Sequence, residues 1–156
     1  GRISRVTSYQ GDYHAEVNTH RPGALYRDIK HIAEGSLLGF SFAHRARIRN
    51  GENLQFSLTD LGINGVLGGG DDTILFAQEY AARKGLWAVN AGLANTRTLG
   101  NTVRISFDSL TRGSASNLID AVELNQVPIT NSFALLGLGL FGMGAFRKSR
   151  LNLRVV

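Results

Sequence analysis

Between Leu38 and Leu58 the chain alternates apolar and polar side chains almost residue by residue, and this period of two is the strongest constraint on its fold. Leu38, Phe40, Phe42, His44, Ala46 and Ile48 fall on one parity, and Ser41, Arg45, Arg47 and Arg49 on the other. An extended strand with one buried face produces this pattern, because its successive side chains point to opposite sides. Asn50-Gly51 follows, a dipeptide suited to a tight turn, and then Leu54, Phe56 and Leu58 alternate with Gln55, Ser57 and Thr59. Together the two runs predict a β-hairpin. Further strands are predicted at 13–18, 24–29, 73–80, 86–91, 102–107 and 118–125. Over 73–84, Ile74, Phe76, Ala77, Tyr80 and Ala81 also fit a helical period, but the strand reading agrees better with the rest. Short strands with Gly- and Asn-rich connections make residues 1–126 one all-β domain, an antiparallel sandwich of jelly-roll type.

The C-terminal segment 127–156 follows a different rule. Val127-Pro128 opens it, and Phe133 to Phe146 contains no charged and no strongly polar side chain. A helix there has no polar face to turn to water, so the run must be buried in protein or lipid. At about 1.5 Å per residue it spans roughly 21 Å, short of a ~30 Å hydrocarbon core unless Ile129 to Ser132 extend it. A buried C-terminal helix is the alternative, but the four glycines of the run count against it. Arg147, Lys148 and Arg150 come next, and cations beside an apolar segment favour the cytoplasmic side, placing residues 1–126 across the membrane.

Val127-Pro128, the short polar spacer, the Leu-Leu-Gly-Leu-Gly-Leu-Phe-Gly run and Arg147-Lys148-Ser149-Arg150 resemble the PEP-CTERM sorting signal of exported proteins in Gram-negative bacteria that make extracellular polysaccharide. The resemblance implies a short hydrophobic C-terminal helix, anchoring in the inner membrane, and processing by an exosortase-type protease. It implies localisation to the cell envelope or extracellular matrix, in the setting of a biofilm. Pro128-Ile129-Thr130 stands where that family has Pro-Glu-Pro, and Leu151 to Val156 extend past its usual basic end.

Charge is unevenly placed. The formal net charge is +5, yet residues 1–126 hold thirteen Lys and Arg against twelve Asp and Glu, so the excess sits mostly at Arg147, Lys148, Arg150 and Arg154. With the charge so localised, a nucleic-acid partner loses its support. The absence of cysteine removes disulfide frameworks and thiolate metal sites. The chain starts at Gly1 with no hydrophobic N-terminal region, and its first residues read as mid-domain sequence, so a truncated N-terminus is expected.

Ala15-Glu16-Val17-Asn18, Gly23 to Ile29, Gly39 to Arg47, the 59–73 loop and Asn117 to Val122 resemble extracellular jelly-roll domains of the carbohydrate-binding-module type. That resemblance implies a sandwich that binds glycans. Three constellations could carry chemistry. Counted from Asp60, the loop places Asp60, Asn64 and Asp71 at positions 1, 5 and 12 with Gly65 at 6, offsets of a calcium loop, and Asp72 is adjacent. Strand-like flanks argue against an EF-hand, which leaves a different Ca2+ site or a plain Gly-rich loop. Arg45, Arg47 and Arg49 share a parity and could hold a carboxylate, sulfate or phosphate of a polysaccharide, or simply form a solvated face. His44, on the apolar parity, reads as a hydrogen-bonded core or rim histidine. Asp120 reads as inward-facing between Leu118 and Val122, and a buried carboxylate needs partners. In the resembling jelly rolls such an Asp joins N-terminal acids around a structural calcium, with Glu16 the match here; backbone donors are the other possibility.

No phosphate-binding loop, nucleophile elbow or helical His pair occurs. The expected function is therefore non-catalytic: a surface protein that binds or organises extracellular polysaccharide. A glycan hydrolase on the same scaffold is the alternative, since the separation of two carboxylates is set by the fold. Tyr13, Tyr26, Tyr80 and Trp87 are the aromatic candidates for sugar stacking, although core packing explains most of them.

Overall fold

The computed structural model describes residues 6–17, 23–96, 100–110 and 117–127. The predicted helix at the C-terminus, Pro128, Arg147, Lys148 and Arg150 lie outside the described residues. Within them the chain is all β, with strands β1 (Ala15–Glu16), β2 (Ala24–Lys30), β3 (Leu37–Ala46), β4 (Glu52–Asp60), β5 (Thr73–Ala82), β6 (Ala88–Asn95), β7 (Thr102–Ser109) and β8 (Asn117–Val127). The segment with a competing helical period is β5, a strand paired along its length with β4. Two four-stranded antiparallel sheets form, ordered β1-β8-β3-β6 and β2-β7-β4-β5.

The inward parities meet between the sheets. Leu38, Phe40 and Phe42 of β3 pack against Leu54, Phe56 and Leu58 of β4 and against Val103, Ile105 and Phe107 of β7. Phe42 stacks on Phe56 with centroids 5.0 Å apart and meets Phe107 edge-on at 5.1 Å. Burying each such ring contributes about 1.5–3 kcal/mol, and these contacts make the aromatic cluster the centre of the core. Gly92 of β6 faces Phe40, whose ring lies where a Cβ would stand, 2.5 Å from it at the nearest atom.

The predicted hairpin does not form. β3 pairs with β6 and β8, whereas β4 pairs with β5 and β7, so residues 47–51 carry the chain from one sheet to the other. Gly51 adopts φ +77°, as the turn signal implied, but the turn serves a corner. Glu52, fully buried, holds that corner through its carboxylate, which accepts the Arg47 amide at 3.0 Å and the Arg49 amide at 3.2 Å.

At the same end a polar network ties the sheets together. Asn117 donates through Nδ2 to the Asn53 carbonyl and to Ser109 Oγ, which leaves its Oδ1 to accept from His44 Nε2 at 2.8 Å. His44 therefore carries its proton on Nε2, and burial pushes its pKa below the ordinary 6.5.

Asp120 corrects the parity reading. Ile119 points into the core, while Leu118 and Asp120 fall on the opposite parity, and the amides of Tyr9 and Gln10 reach the Asp120 carboxylate there. Ala121, at φ 46°, sits in a β-bulge that restores Leu124 to the inward side. The covering segment is tied down by Trp87 Nε1 donating to the Thr7 carbonyl at 3.0 Å, with Tyr9 and His14 packed against the indole.

Candidate functional site

The outer face of the β2-β7-β4-β5 sheet gathers the side chains best arranged to meet a ligand. Register places Tyr26, Ser106, Ser57 and Ala77 in one row across the four strands. Ala24, Asp108, Gln55 and Glu79 form the next row, and Asp28, Arg104, Thr59 and Ile74 the row on the other side. The inward partners of these residues fill the core, so the same alternation that buries Phe56 and Phe107 exposes this polar row. Small side chains at Ser57, Ser106 and Ala77 make a shallow floor. Larger ones at Tyr26, Arg104, Gln55, Asp108, Glu79 and Ile74 stand around it.

Tyr26 is 57% exposed, far from a core role. Its ring is held by Arg104, whose guanidinium lies 4.2 Å from the ring centroid. Arg104 is fixed in turn by Asp28, donating from Nε at 2.7 Å and from a terminal nitrogen at 2.9 Å in a two-pronged pair. That hydrogen bond holds the Asp28 carboxyl below its ordinary 3.8 and raises the guanidinium above its usual range. Ser106 donates to Asp108 at 2.7 Å. The result is a pre-positioned aromatic ring beside hydroxyl, amide and carboxylate groups, a surface that can stack on a sugar ring and hydrogen-bond to its hydroxyls.

The residues singled out by sequence are dispersed. Arg45 lies on β3, half-buried, with Nε enclosed and without a hydrogen-bond partner. β3 ends at Ala46, so Arg47 and Arg49 belong to the corner and the three arginines do not form one strand face. Arg47 pairs with Glu16 at 2.8 Å. Glu16 is thus engaged by a cation, and Asp120 accepts the amides of Tyr9, Gln10 and Ala121 at 2.8, 3.1 and 2.7 Å.

The 60–72 loop is organised from within. Asp71 accepts the Ile63 and Asn64 amides and the Asn64 side-chain amide, and Asn64 Oδ1 accepts the Val66 amide. Asp60 accepts from Gly62, and Asp72 from Gly68. Most of these oxygens accept backbone amides within the loop, while Asp72 Oδ1 is buried without a hydrogen-bond partner, and among the described residues no three His, Cys, Asp or Glu side chains gather as metal ligands.

Of the aromatic candidates, Tyr80 packs edge-on against Phe42 at 5.2 Å and Trp87 is half-buried under the N-terminal segment. Tyr13 and Tyr26 are exposed. The signal for Tyr26 was present: Ala24, Tyr26, Asp28 and Lys30 share the parity opposite to Leu25 and Ile29.

No family model matches this chain, and no curated protein matches it by sequence. Among solved structures it is similar to a family 16 carbohydrate-binding module, with a TM-score of 0.58 and 8% identity over 76% of this chain and 80% of that one. It is also similar to the CBM22-1 xylan-binding domain of Xyn10C from Paenibacillus barcinonensis, with a TM-score of 0.56 and 16% identity over 78% and 77%. A CBM4 structure gives a TM-score of 0.53 at 16% identity, covering 72% of this chain and 66% of that one. At these identities the likeness is one of fold: the domain has the two-sheet architecture of carbohydrate-binding modules.

Proposed function

We propose that this domain is a non-catalytic module that binds polysaccharide on the outer face of the β2-β7-β4-β5 sheet. One observation carries the reading: the exposed Tyr26 ring, held by Arg104 and Asp28 beside the low floor of Ser57 and Ser106. Holding an aromatic ring in place before the ligand arrives lowers the ordering cost of binding. The fold shared with a xylan-binding domain supports the same ligand class. An anchoring role for 127–156 extends the proposal: the apolar run and the cations after it hold the domain at the envelope of an exporting cell, with exosortase-type sorting as its route. Fractionation of tagged protein with and without exosortase, followed by mass measurement of the C-terminus, tests that part.

The hydrolase reading would rest on Asp108 and Glu79, two strands apart across Gln55 and so about 9–10 Å between backbones at the usual strand spacing. Glu79 is exposed on an open sheet face and Asp108 is already held by Ser106, so the two do not enclose a bond between them. Affinity electrophoresis through neutral and acidic polysaccharides, with a reducing-end assay on the same ligands, separates the two. Retardation abolished by Tyr26→Ala and no new reducing ends is the expected result.

A further inference from the structure

The charges on the proposed binding face are not balanced. Arg104 is the cation in its three rows, and Asp28 engages it twice, at Nε and at a terminal nitrogen. The guanidinium also lies over the Tyr26 ring, so its charge is met by its own carboxylate before any ligand arrives. Lys30, the next cation on the outward parity of β2, stands beside Asp28 and about 13 Å from Tyr26 at the usual strand rise. Arg45, Arg47 and Arg49, which the sequence offered for an acidic polymer, lie on β3 and the corner, off this face.

Two carboxylates on the face have no cationic partner. Asp108 of β7 and Glu79 of β5 flank Gln55 of β4 in the row next to Tyr26, Ser106, Ser57 and Ala77. Asp108 accepts from Ser106, a neutral donor, and Glu79 is exposed. Among the described residues neither is ion-paired. With Asp28 and Arg104 cancelling, the three rows carry a net charge of −2 from Asp108 and Glu79.

Register places those charges where a bound sugar would feel them. Asp108 is the diagonal neighbour of Tyr26, and Glu79 that of Ser57, which sets each Cβ about 7–8 Å from the floor under a stacked sugar. A like charge at that distance weakens binding by about two- to threefold in water-like surroundings, and two of them by about fivefold or more.

We propose that Asp108 and Glu79 are specificity-determining residues that turn acidic polysaccharides away from this face and leave it to neutral ones. This filter presupposes the glycan-binding role proposed above and adds to it the charge class of the ligand. It acts through charge, so salt weakens it: the screening length falls from about 30 Å at 0.01 M to about 3 Å at 1 M.

The test titrates xylan and a soluble β-glucan, each with its carboxymethyl derivative, into the full chain in a mild non-ionic detergent at both salt concentrations. The same is done with the double variant Asp108→Asn, Glu79→Gln, in which Asn still offers Ser106 an acceptor oxygen. The cations of the C-terminal segment attract an acidic polymer equally in both proteins, so the readout is the change on substitution. The double variant should raise the affinity for carboxymethyl polymer relative to neutral polymer by about fivefold or more at 0.01 M salt, and by less than about twofold at 1 M. An unchanged ratio at low salt, or the same change at both salts, would overturn the filter while Tyr26-dependent binding of the neutral polymers stands. If no polymer binds, or Tyr26→Ala leaves neutral binding intact, the glycan-binding role itself is refuted and the filter with it.

Discussion

Glu52→Ala removes the carboxylate that receives the Arg47 and Arg49 amides where the chain crosses between sheets. Leaving a buried donor without a partner costs about 1–3 kcal/mol, and hydrogen bonds to a charged group sit at the upper end. Arg49 is exposed, so water takes over its amide at little cost, while Arg47 is half-buried and paired to Glu16. One costly donor, one cheap one and the lost packing of a fully buried side chain give about 2–4 kcal/mol, a sizeable share of the 5–15 kcal/mol typical of a domain. Glu52→Gln keeps the shape and one acceptor oxygen, so its cost is about half as large. Urea unfolding followed by Trp87 fluorescence and by circular dichroism measures both variants at constant m-value. A loss for Glu52→Ala within about 0.5 kcal/mol of the parent, the range of an ordinary surface change, would show that the carboxylate does not hold the corner. Equal losses for the Gln and Ala variants would show the same.

Other outcomes follow from the same contacts. His44 has a lowered pKa in the fold, so the unfolded chain binds its proton first; stability is complete above pH 6.5 and declines as pH falls below it, and His44→Gln should flatten that slope in thermal melts across pH. Gly92→Val drives a side chain into the Phe40 ring and should destabilise by about 1–3 kcal/mol, whereas Gly39→Ala, with 3.7 Å to Leu93, should be mild in the same denaturation assay. Because the 60–72 loop is held by its own hydrogen bonds, calcium or a chelator should leave the melting temperature unchanged; a clear rise with calcium would show that Asp60, Asn64, Asp71 and Asp72 rearrange around the ion.

The strands were legible because both sheets bury one face, and burial on one face writes period two into the sequence at β3, β4 and β7. Pairing was not. Asn50-Gly51 signals a tight turn without saying whether the strands it joins lie in one sheet or two, and the residue that decides this, Glu52, acts through backbone amides that leave no pattern. Asp120 misled for a related reason. The bulge at Ala121 breaks the parity along β8, and Leu118, fully buried on the parity opposite to Ile119, lies outside the core cluster, so an apolar residue there does not mark the core. The candidate binding face escaped because polar residues at alternate positions read as plain solvated surface. What distinguishes it is the row across four strands, which register alone creates. The arginines failed as a set because the alternation continues past Ala46 in sequence while the strand does not.

The central claim is that sugar polymers bind at Tyr26, and isothermal titration of the full chain with xylan and other neutral oligosaccharides tests it most directly. Base-to-aromatic stacking offers the nearest scale, about 1–3 kcal/mol for a planar contact, so Tyr26→Ala should weaken binding by about tenfold or more. Arg45→Ala and Arg49→Ala, away from that face, should leave affinity unchanged. Binding that survives Tyr26→Ala and Arg104→Ala intact, or is lost on Arg45→Ala, would contradict the account.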